Sequence, residues 1–278
     1  VTGYGYVLSE NALYCFCRVA LRRCGSLSGI ALVGDRLGGT VAMIQLQQAE
    51  IGYGGQILFP ALSGCFACGS LTAVVGANGA GKSTLLKTLA GLQPLQGGRL
   101  IFPRQKTHLA YLPQQAELDR QFPMLVSDLV AMGCWHQSGM FGRLSKDSVR
   151  QIHAALDNVG MGAMVRSPVG ELSGGQLQRV LFARLLVQQA PLILLDEPFT
   201  GIDSATIKLL LQVIAQLHQQ GKTIIAVLHD MTMVADHFPL ALLLTPDCCH
   251  WGDADHVLQH IPGLNVATAP LCQMAVAQ

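Results

Sequence analysis

The segment Gly76-Ala77-Asn78-Gly79-Ala80-Gly81-Lys82-Ser83 fits the pattern G-x-x-x-x-G-K-[ST] and lies between two regular elements. The apolar stretch Leu71-Thr72-Ala73-Val74-Val75 precedes it, and the helical pattern Thr84-Leu85-Leu86-Lys87-Thr88-Leu89 follows. Strand, glycine loop and helix in that order constrain the chain to an α/β core that binds a nucleoside triphosphate. Gly76, Gly79 and Gly81 let backbone N–H groups turn inward around phosphate oxygens, and the following helix contributes its positive end. Lys82 can reach the terminal phosphates, and Ser83 offers the hydroxyl expected on Mg2+. Asn78 and Thr84 complete the expected nucleotide contacts of the loop.

Bulk properties narrow the partners. The 278 residues suit one large α/β domain or two small ones, with a core that needs no cross-links. Nine irregularly spaced cysteines in apolar surroundings read as reduced, packed thiols of a cytosolic protein. A formal charge of +1 with 13% charged residues and no Lys/Arg block speaks against nucleic acid as a ligand. Half the chain is hydrophobic, yet no stretch reaches the ~18 uninterrupted apolar residues of a spanning helix. Docking on other proteins is the expected use of that apolar surface.

The organisation along the chain follows from periodicity. Residues 1–42 read as an uncertain extension, upstream of a start at Met43 or else a real but weakly ordered segment. Two short strands are expected between Ile44 and Leu58 around Gly54-Gly55, and further strands at Leu71–Val75, Leu100–Phe102 and Leu109–Leu112. Apolar periodicity in Val126–Val130 and Val149–Val159 predicts helices, which places an inserted helical subdomain at about 115–175. Gln176–Gln189 and Ile207–Gln219 read as helices, and Leu192–Leu195, Thr223–Leu228 and Leu240–Leu244 as buried strands. Residues 246–278 read as a short tail.

Charged and polar residues at strand ends carry the chemistry. Asp196 and Glu197 end the run Leu192–Leu195, where open α/β sheets place ligand-facing groups. The first carboxylate can hold Mg2+ through water, and the second can orient or deprotonate attacking water. His229 ends the run Ile224–Leu228 and can bond the γ-phosphate or that water. Gln114, after Pro113 at another strand end, can contact Mg2+ or water through its amide oxygen. Cys65-x-x-Cys68, like Cys15-x-Cys17 with Cys24, lacks the ligands a metal site requires. Cys248-Cys249-His250 with His256 and His260 is a better regulatory candidate, read here as irregular surface residues.

Leu172-Ser173-Gly174-Gly175-Gln176, twenty residues before Asp196 at its end, matches the signature of the ATP-binding cassette (ABC) family, and the chain resembles that family over about residues 43–245. The resemblance implies a P-loop nucleoside triphosphate hydrolase core with an antiparallel β subdomain and an inserted helical subdomain. It implies ATP hydrolysis with Mg2+ held at Ser83, Gln114 and, through water, Asp196. Tyr53 becomes an adenine-stacking aromatic, Gln114 the Q-loop glutamine, Asp203 the D-loop residue and His229 the switch histidine. Ser173, Gly175 and Gln176 would complete the nucleotide site of a second copy, so that two ATP molecules lie between head-to-tail subunits.

Within the family, Leu118–Gly133 is similar to the corresponding region of zinc/manganese importer ATPases, as are His229-Asp230-Met231 and His237-Phe238-Pro239. This implies a peripheral protein on the cytoplasmic face of the plasma (inner) membrane. Its partners would be a multi-spanning permease and a periplasmic or surface metal-binding receptor. ATPases of iron-chelate or cobalamin importers are the alternative. A DNA-repair ATPase would carry a long coiled coil between its motifs, and a ribosome-associated one would carry tandem cassettes; neither feature is present.

Overall fold

The apolar runs around the glycine loop require a sheet covered on both faces, and the computed structural model contains one. It describes residues 41–102, 108–114, 123–135 and 144–261. The strands are β1 (Ala42–Glu50), β2 (Gly52–Tyr53), β3 (Gln56–Ile57), β4 (Leu62–Ala67), β5 (Leu71–Gly76), β6 (Gly97–Ile101), β7 (Leu109–Leu112), β8 (Leu192–Asp196), β9 (Thr223–Val227), β10 (Leu240–Leu244) and β11 (Cys249–Asp253). The helices are α1 (Lys82–Leu89), α2 (Val126–Ala131), α3 (Lys146–Asn158), α4 (Gly174–Val187), α5 (Ser204–Gln219), α6 (Met231–His237) and α7 (Ala254–Leu258).

Six strands form the central sheet in the order β11-β10-β5-β9-β8-β7. Every neighbouring pair is parallel except β10 with β11. Successive residues enter different apolar layers: Ala73 and Val75 of β5 one, Val74 the other. Ile193 and Leu195 of β8 likewise separate from Leu192 and Leu194. Strands buried on both sides have no polar face, which is why they read as continuous apolar runs. One layer joins the sheet to α1 and to the antiparallel sheet β4-β1-β6; the other continues through α4 and α5 into the helical segment.

Several details depart from the sequence expectation. Ile44 does not open a short hairpin strand but belongs to nine-residue β1, which pairs with both β4 and β6. The hairpin at Gly54-Gly55 is β2–β3, and both glycines have positive φ, as that turn requires. Helix α4 begins two residues before Gln176 because Ser173 caps it: the Ser173 hydroxyl accepts from the Gln176 N–H, and the Gln176 amide oxygen accepts from the Ser173 N–H. Beyond residue 245, β11 pairs with β10 and α7 follows, so the sheet runs on into the segment read as a tail. Trp251 of β11 lies on Phe66 of β4, with ring centroids 4.6 Å apart. Residues 1–40, with Cys15, Cys17 and Cys24, and the stretch Leu118–Phe122 lie outside the described residues.

Candidate active site

The glycine loop is fixed by its neighbours as much as by its own freedom. Gly76 has φ +151°, and a Cβ there would stand 2.4 Å from the Leu244 carbonyl oxygen of β10. Gly81 has φ +89°, and a Cβ would meet the Phe59 ring at 2.9 Å. Any side chain would therefore push the loop off the sheet or off buried Phe59. Lys82 opens α1 and folds back, its Nζ donating to the Gly76 and Ala77 carbonyl oxygens at 2.8 Å each. An ammonium has three N–H donors, so one can still serve a phosphate oxygen. Burial pulls the Lys82 pKa down, against the opposing pull of the Glu197 and Asp196 charges.

The next side chain, Ser83, donates its hydroxyl to Asp196 Oδ1 at 2.9 Å. Asp196 ends β8 at 1% exposure, and its other oxygen accepts from the Tyr111 hydroxyl at 3.3 Å. Burial pushes its carboxyl pKa up despite the two hydroxyl bonds and Lys87, and the Glu197 charge adds to the rise. A buried carboxylate hydrogen-bonded by two neutral hydroxyls is a set of hard oxygens that fits a divalent cation such as Mg2+. Gln114 turns its amide nitrogen to Glu197, leaving its oxygen available for the same cation.

Glu197 is held from three directions. Its Oε1 pairs with His229 Nε2 at 2.6 Å, and its Oε2 accepts from Gln114 Nε2 at 2.7 Å and from the Thr200 hydroxyl at 3.3 Å. Burial works to raise its pKa, but the His229 bond and charge, with the Gln114 and Thr200 bonds, outweigh that and hold it below the ordinary glutamate value. Its φ of 49° lies in the left-handed region that non-glycine residues seldom occupy. Such conformations cost ~1–3 kcal/mol and persist where the surroundings over-determine them. Here three hydrogen bonds do so.

Most of these groups line one cleft of about 620 Å3, with Asp196 and Tyr111 outside its lining. Asn78, Gly79, Gly81, Lys82, Ser83 and Thr84 line it, as do Gln114, Glu197, Thr200 and His229. The lining brings the Lys82 ammonium and the glycine loop into one cleft with a carboxylate hydrogen-bonded to Gln114, Thr200 and His229. That is suited to moving a phosphoryl group onto water. Leu58 adds an apolar patch to the wall. Tyr53 is not part of that lining; it stands 70% exposed on the β2–β3 hairpin.

The signature residues are elsewhere. Ser173 is exposed at the N-terminus of fourteen-residue α4, and neither it nor Gly175 nor Gln176 lines the cleft. A Cβ on Gly175 would approach Asp203 Oδ2 at 3.3 Å, so the signature packs beside the cap of α5. There Asp203 accepts from the Thr206 N–H and hydroxyl, each at 2.9 Å, which holds its carboxyl below the usual range. Gln178 of α4 donates to the Pro198 carbonyl at 2.7 Å, tying this helix to the residue after Glu197.

Sequence reasoning missed Tyr111 and Thr200. Thr200 lies three residues past Glu197, within reach of a turn, but Tyr111 becomes visible only once β7 is known to lie beside β8. At the other end of the sheet, Cys248 Sγ is 3.2 Å from His250 Nε2, and the His250 and His260 rings stack with centroids 4.3 Å apart. Among the described residues no three His, Cys, Asp or Glu side chains are arranged to hold a metal ion.

The pattern of the ABC transporter family matches residues 59–200. The chain belongs to that family. It is an ATPase that couples ATP hydrolysis to transport. It is 40% identical over 206 residues to the manganese transport system ATP-binding protein MntB of Listeria innocua, covering 72% of this chain and 86% of that one. To the zinc transport system ATP-binding protein TroB of Treponema pallidum it is 42% identical over 181 residues, covering 63% and 68%. Among solved structures, it resembles a protein described as a metal-chelate type ABC transporter in an inward-facing conformation, with TM-score 0.71 and 27% identity over 78% of this chain and 85% of that one. No helix among the described residues is long and apolar enough to cross a membrane.

Proposed function

We propose that this chain is the ATP-hydrolysing subunit that powers movement of a divalent metal ion, zinc or manganese, through a separate multi-spanning permease. The observation that carries the catalytic reading is the meeting of Lys82, Ser83, Gln114, Glu197 and His229 in one cleft. The cargo reading is supported by the manganese and zinc transport relatives at 40% and 42% identity. The metal itself is cargo, recognised by the permease and a periplasmic or surface receptor. The subunit sits at the cytoplasmic face of the inner membrane.

In this reading the glycine loop and Lys82 bind the phosphates of ATP, with Asn78 and Thr84 beside them. Ser83, Gln114 and, through water, Asp196 would hold Mg2+, whose charge would offset that of the phosphates. Glu197 orients the attacking water and accepts its proton, a role that needs the carboxylate its three partners keep ionised. His229 fixes Glu197 and offers a donor as charge develops. Tyr53, exposed on its hairpin, stacks on adenine.

Ser173, Gly175 and Gln176 serve the cleft of a second copy. An exposed, capped helix end has unpaired N–H groups and a partial positive charge, which suit the γ-phosphate. Loss of that phosphate on hydrolysis then weakens the interface and opens the pair.

Reconstitution with its permease tests the whole reading. ATP-dependent uptake of radiolabelled Zn2+ or Mn2+, lost with Glu197→Gln, is the expected result. The likeness to a metal-chelate transporter favours a second reading, an iron-chelate or cobalamin importer. ATP-dependent transport of such a compound with no response to either ion would replace the first.

A further inference from the structure

We propose that Tyr111 is a positioning residue for the cation-binding carboxylate Asp196, its hydroxyl fixing one oxygen while Ser83 fixes the other. The proposal rests on the reading that Asp196 and Ser83 hold Mg2+. Tyr111 is on β7, opposite Leu194 in the parallel register with β8. Leu194 and Asp196 are two residues apart and share a face of that strand. The Tyr111 ring packs against the apolar layer that contains Leu192 and Leu194, and its hydroxyl reaches beyond to Asp196 Oδ2 at 3.3 Å.

A carboxylate held at one oxygen can still turn about its Cβ–Cγ bond. Here Oδ1 is held from α1 by Ser83 at 2.9 Å and Oδ2 from β7 by Tyr111, so two separate elements define its plane. Ser83 can donate to Asp196 and offer its lone pairs to a cation at once. The tyrosine contributes no cation ligand in this arrangement. It orients the carboxylate that would hold the cation through water, as outer hydrogen bonds do around metal sites. The same strand end also carries Gln114, three residues on, to Glu197. One short segment of β7 and the residues after it therefore sets both carboxylates of the site.

The test is Tyr111→Phe in the full chain, which keeps the packed ring and removes the hydroxyl. Mn2+ binding in the presence of a non-hydrolysable ATP analogue, read by electron paramagnetic resonance, should weaken by about 10- to 100-fold. Analogue affinity in EDTA should match the parent, and turnover should recover at saturating Mg2+ with a raised half-saturation. Tyr111→Leu, which deletes the ring as well, should melt lower yet show the same Mn2+ loss. Mn2+ affinity of Tyr111→Phe within about twofold of the parent overturns the proposal, as does a Mn2+ loss confined to the leucine variant. A parent that binds the analogue but no Mn2+ overturns the underlying reading of Ser83 and Asp196, a distinct result.

Discussion

The ends of β5, β8 and β9 and the N-terminus of α4 both present polar groups, but in opposite states. At the strand ends, Lys82, Ser83 and Asp196 are held by partners within the chain, and Glu197 has three. At α4, Ser173 is exposed, and its hydroxyl accepts from the Gln176 N–H of its own helix cap. The first region is a cleft that one chain can build. The second offers helix-end donors that do not line that cleft. The contrast separates local chemistry, complete within the chain, from a surface that the proposed reading assigns to a second copy.

The sharpest break of that contrast is at Glu197. Glu197→Gln should leave nucleotide binding intact and lower hydrolysis by about 10²–10⁴, the usual contribution of a positioned general base. Hydrolysis near the parent rate would remove Glu197 from the role. Ser173→Arg attacks the other region: hydrolysis should fall on the order of 10², since the bulky side chain keeps the helix-end donors of one copy away from the γ-phosphate held by the other. Nucleotide binding by the isolated chain should be unchanged. A matching loss of nucleotide affinity would place Ser173 in its own chain's site.

Lys82→Ala is expected to weaken nucleotide affinity itself by about 10- to 100-fold, the worth of a charge-assisted hydrogen bond. Equilibrium binding of a fluorescent ATP analogue checks this, and parent-like affinity would refute it. The smallest effect is on stability. Burial raises the Asp196 pKa in the fold, so the folded chain binds that proton more readily than the unfolded one. The ionised carboxylate therefore costs stability at pH above its folded pKa, and the cost fades as pH falls toward the unfolded value. Asp196→Asn without nucleotide should melt higher at neutral pH, by about 2–4 °C for each kcal/mol relieved. The gain should shrink on acidification; a gain that grows would reverse the assignment.

How much of this could be read from the chain depended on where the determining contacts lie. The loop from Gly76 to Ser83 and the acids ending Leu192–Leu195 were legible because a local pattern encodes them: glycines at a turn, or charge closing an apolar run. The long strand β1 was not, since its middle departs from alternation at Gln48, where φ is 46° and the register shifts. Strand β11 reads Cys249-His250-Trp251-Gly252-Asp253 and has no strand signal of its own. Pairing with β10 makes it a strand, and Gly64 leaves room for Trp251, whose ring lies 2.9 Å from where a Cβ would be. Tyr111 escaped for the same reason: its role depends on strand order, which no window of sequence contains.

The claim that the nucleotide site is divided between two copies is tested most directly by sedimentation of Glu197→Gln protein. With Mg·ATP, which this variant binds and does not turn over, it should sediment as a dimer. Without nucleotide it should be a monomer, and Ser173→Arg in the same background should remain a monomer in both conditions. A species that is monomeric throughout, or dimeric regardless of ATP, would contradict the account.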